Sequence, residues 1–275
     1  MNNNFQFSRL LMVMRWDVFT NLKAYLNMIL GMTFALLPIF IIQMYQLSKQ
    51  DQLLPETIEL SYRSMLGFML LISSIAMYMM AAQIFMVMKT NGQREQFLML
   101  PASNLEKYIS RFLFSTLGAA VAMITAIVVS DCVQLIFSFV LLPGHHQSIC
   151  LYTMALLWKT WTAFIENIDS TDALLLSLWI ATCGVLVHSF FILCGTLFRK
   201  HTIVVTSILF IAMTYLVIYV IESVPDSITT CLKHGGNSWL FSLLIAELLL
   251  GGFQYWLSYK VFTRMQVICN KWINL

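Results

Sequence analysis

Residues 173–221 read ALLLSLWIATCGVLVHSFFILCGTLFRKHTIVVTSILFIAMTYLVIYVI, two long apolar runs separated only by Phe198-Arg199-Lys200-His201. Arg199 and Lys200 are its only Lys, Arg, Asp or Glu residues. Crossing the bilayer hydrocarbon, about 30 Å thick, takes about 20 helical residues. Each run is long enough, so the stretch predicts two membrane spans, 173–198 and 202–221, joined by a tight hairpin.

Four further blocks of the same kind lie at 26–45, 62–88, 108–142 and 239–260. The 275 residues are 59% hydrophobic and 11% charged, where a soluble domain carries about a quarter charged residues. The expectation is an all-α polytopic membrane protein with six transmembrane helices, forming a single transmembrane domain over 1–275. Twelve of the sixteen Lys and Arg residues fall on one side of these blocks: Arg9, Arg15, Lys23, Lys89, Arg94, Lys107, Arg111, Arg199, Lys200, Lys260, Arg264 and Lys271. The opposite junctions carry acids such as Asp51, Glu56, Glu59, Glu166 and Asp226, with Lys49, Arg63, Lys159 and Lys233 as their basic residues. The positive-inside rule then places both termini in the cytoplasm of a multi-pass protein of the cell (inner) membrane. The formal charge of +3 resides at these flanks, with no basic cluster of the kind nucleic acid requires. The first apolar run begins near residue 26 and is longer than the 7–15 residues of a signal-peptide core, so the N-terminus is expected to be retained.

Ahead of the first block, Phe7, Leu11, Met14, Val18 and Leu22 form an apolar stripe opposite Arg9, Thr20 and Lys23. This predicts an amphipathic helix over 5–24 lying in the cytoplasmic interface, the alternative being an extension of the first span. Pro38 should kink or break that span. The block 108–142, about 35 residues, would exceed 50 Å as a helix and must protrude, tilt or break. The run 149–165 holds Lys159 between Trp158 and Trp161. A surface or re-entrant helix is expected there, because a seventh span would break the charge alternation.

Ionisable groups inside apolar blocks are functional candidates, because exposing their charge to lipid is expensive. Asp131, Glu247 and His188 are the candidates here. Each could line a translocation path, but a hydrogen bond between helices is preferred for Asp131 and Glu247, and a packed neutral imidazole for His188. Partners considered for Asp131 are Arg63, Gln134, Thr125 and Ser130. His145-His146 beside Pro143-Gly144 reads as loop, and no metal motif occurs. The six cysteines contain no CxxC pair. Cys150 and Cys231 fall in outer loops and could form a disulfide in an oxidising compartment, although two separate thiols are preferred.

The sharpest local signal is Lys89-Thr90-Asn91-Gly92-Gln93-Arg94-Glu95-Gln96-Phe97-Leu98-Met99-Leu100-Pro101-Ala102-Ser103-Asn104-Leu105-Glu106-Lys107. Thr90-Asn91-Gly92 signals a turn. Ser103 and Glu106 have the S-x-x-E spacing of a capping box, and Pro101 prevents one continuous helix. A short helix over about 92–99 is therefore predicted to stop at Leu100, with a new one starting at Ser103. In an isolated chain Phe97, Leu98 and Leu100 would be exposed, rimmed by Arg94, Glu95 and Lys107. Such a patch suits docking into a partner's groove or dipping into lipid headgroups.

The arginine, the LMLPAS step and the Glu106-Lys107 pair entering a span resemble membrane subunits of the ABC-2 type of ATP-binding-cassette transporter. They are most similar to a permease group common in Bacteroidetes-type bacteria, whose plan of an interfacial helix and six spans also matches. Drug and polysaccharide members often carry paired re-entrant helices where this chain has the short 222–238 loop. The resemblance implies that Arg94 to Ser103, with Glu95, Phe97, Leu98 and Pro101, forms a coupling helix seated on an ATPase subunit, with Glu106 and Lys107 entering the following span. It also implies a homodimer, or a heterodimer with a second permease. The chain has no G-x-x-x-x-G-K-[ST] phosphate loop, so ATP and Mg are expected on the partner and no cofactor or enzyme activity on this chain. The competing expectations are a membrane scaffold or sensor and an intramembrane enzyme. For the enzyme, only the scattered Asp131, His188 and Glu247 could serve, with no G-x-S-x-G or zinc signature.

Overall fold

A computed structural model describes residues 5–50, 54–88, 90–142, 146–167, 170–198, 201–223 and 238–265. Its helices are α1 (Phe7–Ser48), α2 (Pro55–Ala82), α3 (Asn91–Leu98), α4 (Asn104–Leu113), α5 (Ala119–Leu141), α6 (Ile149–Asn167), α7 (Ser170–Leu197), α8 (Thr202–Ser223) and α9 (Ser238–Arg264). A 3-10 turn covers Met86–Met88, and a π-helical turn, Phe114–Gly118, joins α4 to α5. Among the described residues there is no strand. Six stretches are long and apolar enough to cross a membrane: Phe7–Ser48, Pro55–Ala82, Asn104–Leu141, Leu174–Leu197, Thr202–Tyr219 and Leu240–Thr263. The chain is an all-α polytopic membrane protein.

Two boundaries differ from the sequence expectation. The separate helix expected at 5–24 is the first half of α1, which runs unbroken for 42 residues. No glycine or proline lies between 8 and 30, and the buried Asp17 ties the two halves together. Its carboxylate accepts from Asn21 Nδ2 at 2.9 Å and from the Tyr25 hydroxyl at 2.9 Å, one and two turns further along. Pro38 sits inside α1 without ending it. At about 1.5 Å per residue α1 is roughly twice as long as the hydrocarbon is thick, so part of it must extend past that layer.

The second boundary is the end of α2, at Ala82 instead of near 88. A Cβ placed on Gly195 of α7 would fall 2.4 Å from the Ala82 carbonyl oxygen, so only glycine permits this approach. The carbonyl of Ile84, freed where the helix stops, accepts from Arg111 Nε at 2.8 Å. The long block agrees with the expectation: its helix begins at Asn104, capped by Ser103, and is broken by the π-helical turn. The run 149–165 is helical, as part of α6, and is not among the six span candidates.

Within the predicted single domain the chain forms two compact units. One comprises Met1–Met14, Tyr78–Ser115 and Ile165–Leu275, the other Arg15–Met77 and Thr116–Phe164. In the second unit, Leu36, Phe40, Met44 and Leu47 of α1 pack with Tyr62, Met65, Leu66 and Met69 of α2, joined by Leu142 and Ile149. The three- and four-residue spacings of the α1 and α2 residues place each set on one face of its helix. The Tyr62 hydroxyl donates to the Gln147 carbonyl at 3.1 Å, and its ring lies 5.3 Å from that of Tyr152. In the first unit α7 pairs along its length with α9. Gly251 of α9 lies at this seam, where an added Cβ would meet Ser189 Oγ at 3.6 Å, an ordinary contact distance.

Candidate functional site

The segment between the second and third spans is built by two capping boxes in succession. Thr90 caps α3, accepting from Gln93 N at 3.3 Å while Gln93 Oε1 accepts from Thr90 N at 3.2 Å. The predicted Ser103 box is present at α4. Ser103 Oγ accepts from Glu106 N at 3.2 Å, and Glu106 Oε2 accepts from Ser103 N at 2.8 Å. Each box satisfies two backbone donors that a helix start leaves over. The sequence predicted a turn at Thr90-Asn91-Gly92. The T-x-x-Q pattern of Thr90 and Gln93 was the signal for its cap.

Glu106 does more than close its box. It is fully buried, and its Oε1 accepts from the Gln6 backbone N–H at 2.7 Å and from Arg9 Nη2 at 3.0 Å. α1 has no acid in its own first turn. Glu106 supplies that negative charge from another element, favourable at a helix N-terminus. Lys107, also buried, donates from Nζ to the Leu98 carbonyl at 2.6 Å. A cation thus meets one of the carbonyls left over at the end of α3.

Phe97 is buried, which corrects the expectation that it is exposed. Its ring lies 6.4 Å from that of Phe262 on α9. Phe85 stacks on Phe262 at 4.9 Å, and Tyr108 of α4 lies 5.9 Å from it. Four aromatic rings thereby hold α3, the turn after α2, α4 and α9 together. Tyr108 also donates to Ser258 Oγ of α9 at 3.0 Å. Arg94 is buried as well, and Leu98 and Leu100 are half-buried. The exposed residues of the segment include Gln93, Glu95, Gln96, Met99, Pro101, Asn104 and Leu105. Met99 is 80% exposed.

The candidate acids are placed as helix-to-helix links. Glu247 of α9 accepts from Trp179 Nε1 at 3.0 Å, Thr182 Oγ1 at 2.7 Å and Cys183 Sγ at 3.4 Å, all on α7. Further along the same seam Ser189 donates to Gln254 Oε1 at 2.6 Å, and His188 Nδ1 shares a hydrogen bond with the Tyr255 hydroxyl at 2.8 Å. Asp131 of α5, in the other unit, meets none of the partners considered for it in the structure's hydrogen bonds. It accepts from Ser148 Oγ at 2.5 Å and from the Ile149 backbone N–H at 2.7 Å, capping α6 from outside. Cys150 carries a free thiol, and Cys231 lies outside the described residues, as does His145. His146 stacks on Phe139 with ring centroids 4.0 Å apart. The 222–238 loop lies outside the described residues apart from Glu222, Ser223 and Ser238.

The arrangement brings Arg94, Phe97, Leu98, Ser103, Glu106 and Lys107 into one rigidly held element. Glu247 and His188 lie on the α7–α9 seam of the first unit, and Asp131 caps α6 within the second. Comparison of the chain with protein-family models, with curated proteins and with solved structures finds no match.

Proposed function

We propose that the chain is the transmembrane permease subunit of an ATP-driven exporter of the ABC-2 type, coupled to separate ATPase subunits through residues 90–104. Two such subunits form the translocation path, in the inner membrane with both termini cytoplasmic. The observation that carries this is the construction of α3. A coupling element must be stiff, tied to spans and open on its outer side. α3 is capped at its start by Thr90, held at its end by Lys107, and fastened through Phe97 to Phe262 of α9. Its outer side presents Gln93, Glu95, Gln96 and Met99.

In this mechanism ATP binding closes the ATPase pair against the outer side of α3. The displacement passes through Lys107 into α4 and through the Phe262 cluster into α9. The half-buried polar links of α9 to α7 carry it onward as one body, because packed interfaces move between discrete arrangements and do not deform continuously.

The test is affinity purification of the tagged full chain from its native membrane in mild detergent. A stoichiometric ATPase carrying a phosphate loop is expected to accompany it. Met99→Asp combined with Glu95→Lys should release that ATPase while the chain stays monodisperse. A chain that purifies alone, even after crosslinking from position 99, would instead be a scaffold or sensor.

A further inference from the structure

A cavity of about 570 Å³ opens beside α3, in the first unit. This falls within the roughly 300–1,000 Å³ of small-molecule sites. Arg94, Phe198, His201, Ile203, Val204 and Met265 are among its lining residues. The wall is mainly apolar, yet it includes the guanidinium-bearing Arg94, which is only 2% exposed. A buried arginine facing a cavity is a strong donor for an anion, with five N–H groups in a fixed fork. His201, which is exposed, adopts a left-handed backbone at φ 52°. Such a conformation is uncommon outside glycine, and conformations of this kind cluster at binding sites.

The position of the cavity narrows the ligand. It is lined from the end of α2, the end of α7, the start of α8 and the end of α9. These are the helix ends flanked by Lys and Arg, where lipid headgroups meet apolar helices. Basic pockets between spans on that side hold acidic headgroups. We propose that this cavity is a binding site for an acidic phospholipid, its phosphate on Arg94 and its acyl chain against Phe198, Ile203 and Met265. The site needs only the membrane reading and is independent of ATPase coupling, which is tested at Met99 and Glu95.

The full chain is reconstituted in vesicles of phosphatidylcholine with phosphatidylglycerol as the sole acidic lipid, re-extracted in mild detergent and examined by native mass spectrometry. Phosphatidylglycerol is expected to remain bound in preference to phosphatidylcholine, and excess inorganic phosphate should leave it in place. Arg94→Gln should lower the bound fraction about tenfold, as loss of one charge-assisted hydrogen bond predicts. Val204→Trp fills the cavity from a residue that is 57% exposed, so it tests the site without removing a buried contact. It should lower retention equally, and it decides the matter if Arg94→Gln fails to fold. Equal retention of the two lipids, or wild-type retention in the folded variants, overturns the proposal. Displacement by inorganic phosphate also overturns it, by making this a site for free phosphate.

Discussion

Phe97 and Met99 stand two positions apart and face opposite ways. Phe97 is 0% exposed against Phe262, whereas Met99 is 80% exposed. At about 100° per residue, positions two apart point about 200° apart on a helix, which accounts for the division. The two residues therefore fail differently when changed. Phe97→Ala removes a buried ring and should cost about 3 kcal/mol, read as a lower melting midpoint of the purified chain in detergent. Met99→Asp should leave that midpoint unchanged and act only on ATPase retention. If Met99→Asp lowers the midpoint as Phe97→Ala does, then Met99 is packed and the outer side of α3 is misassigned. By the same logic a charge reversal at Arg94 with Phe97→Asp mixes folding with docking, because both side chains are buried.

Among the described residues, α1 receives N-terminal negative charge from Glu106 and α6 from Asp131. Both acids lie in the span candidate Asn104–Leu141, so that stretch organises its neighbours by capping as well as by packing. The Asp131 cap has a chemical reporter in Cys150, at the start of α6. Burial first, and then the Asp131 carboxylate beside it, push the Cys150 thiol up to about 12. Only the thiolate is alkylated, so Cys150 should react slowly near pH 8 and faster as pH rises toward the thiol's pKa. Asp131→Asn removes the charge, so the thiol pKa falls and alkylation at a fixed pH accelerates. The amide oxygen can still accept from Ile149 N, which keeps α6 capped. Peptide mass spectrometry of Cys150 reads the rate, and an unchanged rate in Asp131→Asn would separate the thiol from the carboxylate. The contact between α7 and the end of α2 gives a second element-scale test. Gly195→Ala forces a Cβ against the Ala82 carbonyl and should destabilise the chain by about 1–3 kcal/mol. A wild-type detergent melt would show that α2 does not end there.

For the whole molecule, what could be read from sequence was what depends on local composition. A span needs an unbroken apolar run, so six runs gave six span candidates. The Ser103 capping box is likewise complete within four residues. Pairings across the chain were not legible. Nothing near Phe97 announces Phe262, and the partners of Asp131 lie across a loop at Ser148 and Ile149, not on the helices considered for it. The continuity of α1 was only the alternative reading, because an apolar stripe opposite Arg9, Thr20 and Lys23 pointed to a separate interfacial helix, and nothing in the sequence announces the Asp17–Asn21 and Asp17–Tyr25 bonds along it. Orientation rests on the charge count, and it predicts which residues a membrane-impermeant maleimide can reach. Leu54, 55% exposed before α2, and Met99, after it, should lie on opposite sides of the membrane. In a chain lacking native cysteines, Met99→Cys should label only in inside-out vesicles and Leu54→Cys only in right-side-out ones. Trp161→Cys, on α6, should label with Leu54→Cys, because Asn104–Leu141 carries the chain back across. The reverse pattern would invert the protein. Labelling of Leu54→Cys and Met99→Cys from one side would remove α2 as a span. Labelling of Trp161→Cys with Met99→Cys would remove Asn104–Leu141, leave an odd number of crossings, and place the two termini on opposite sides.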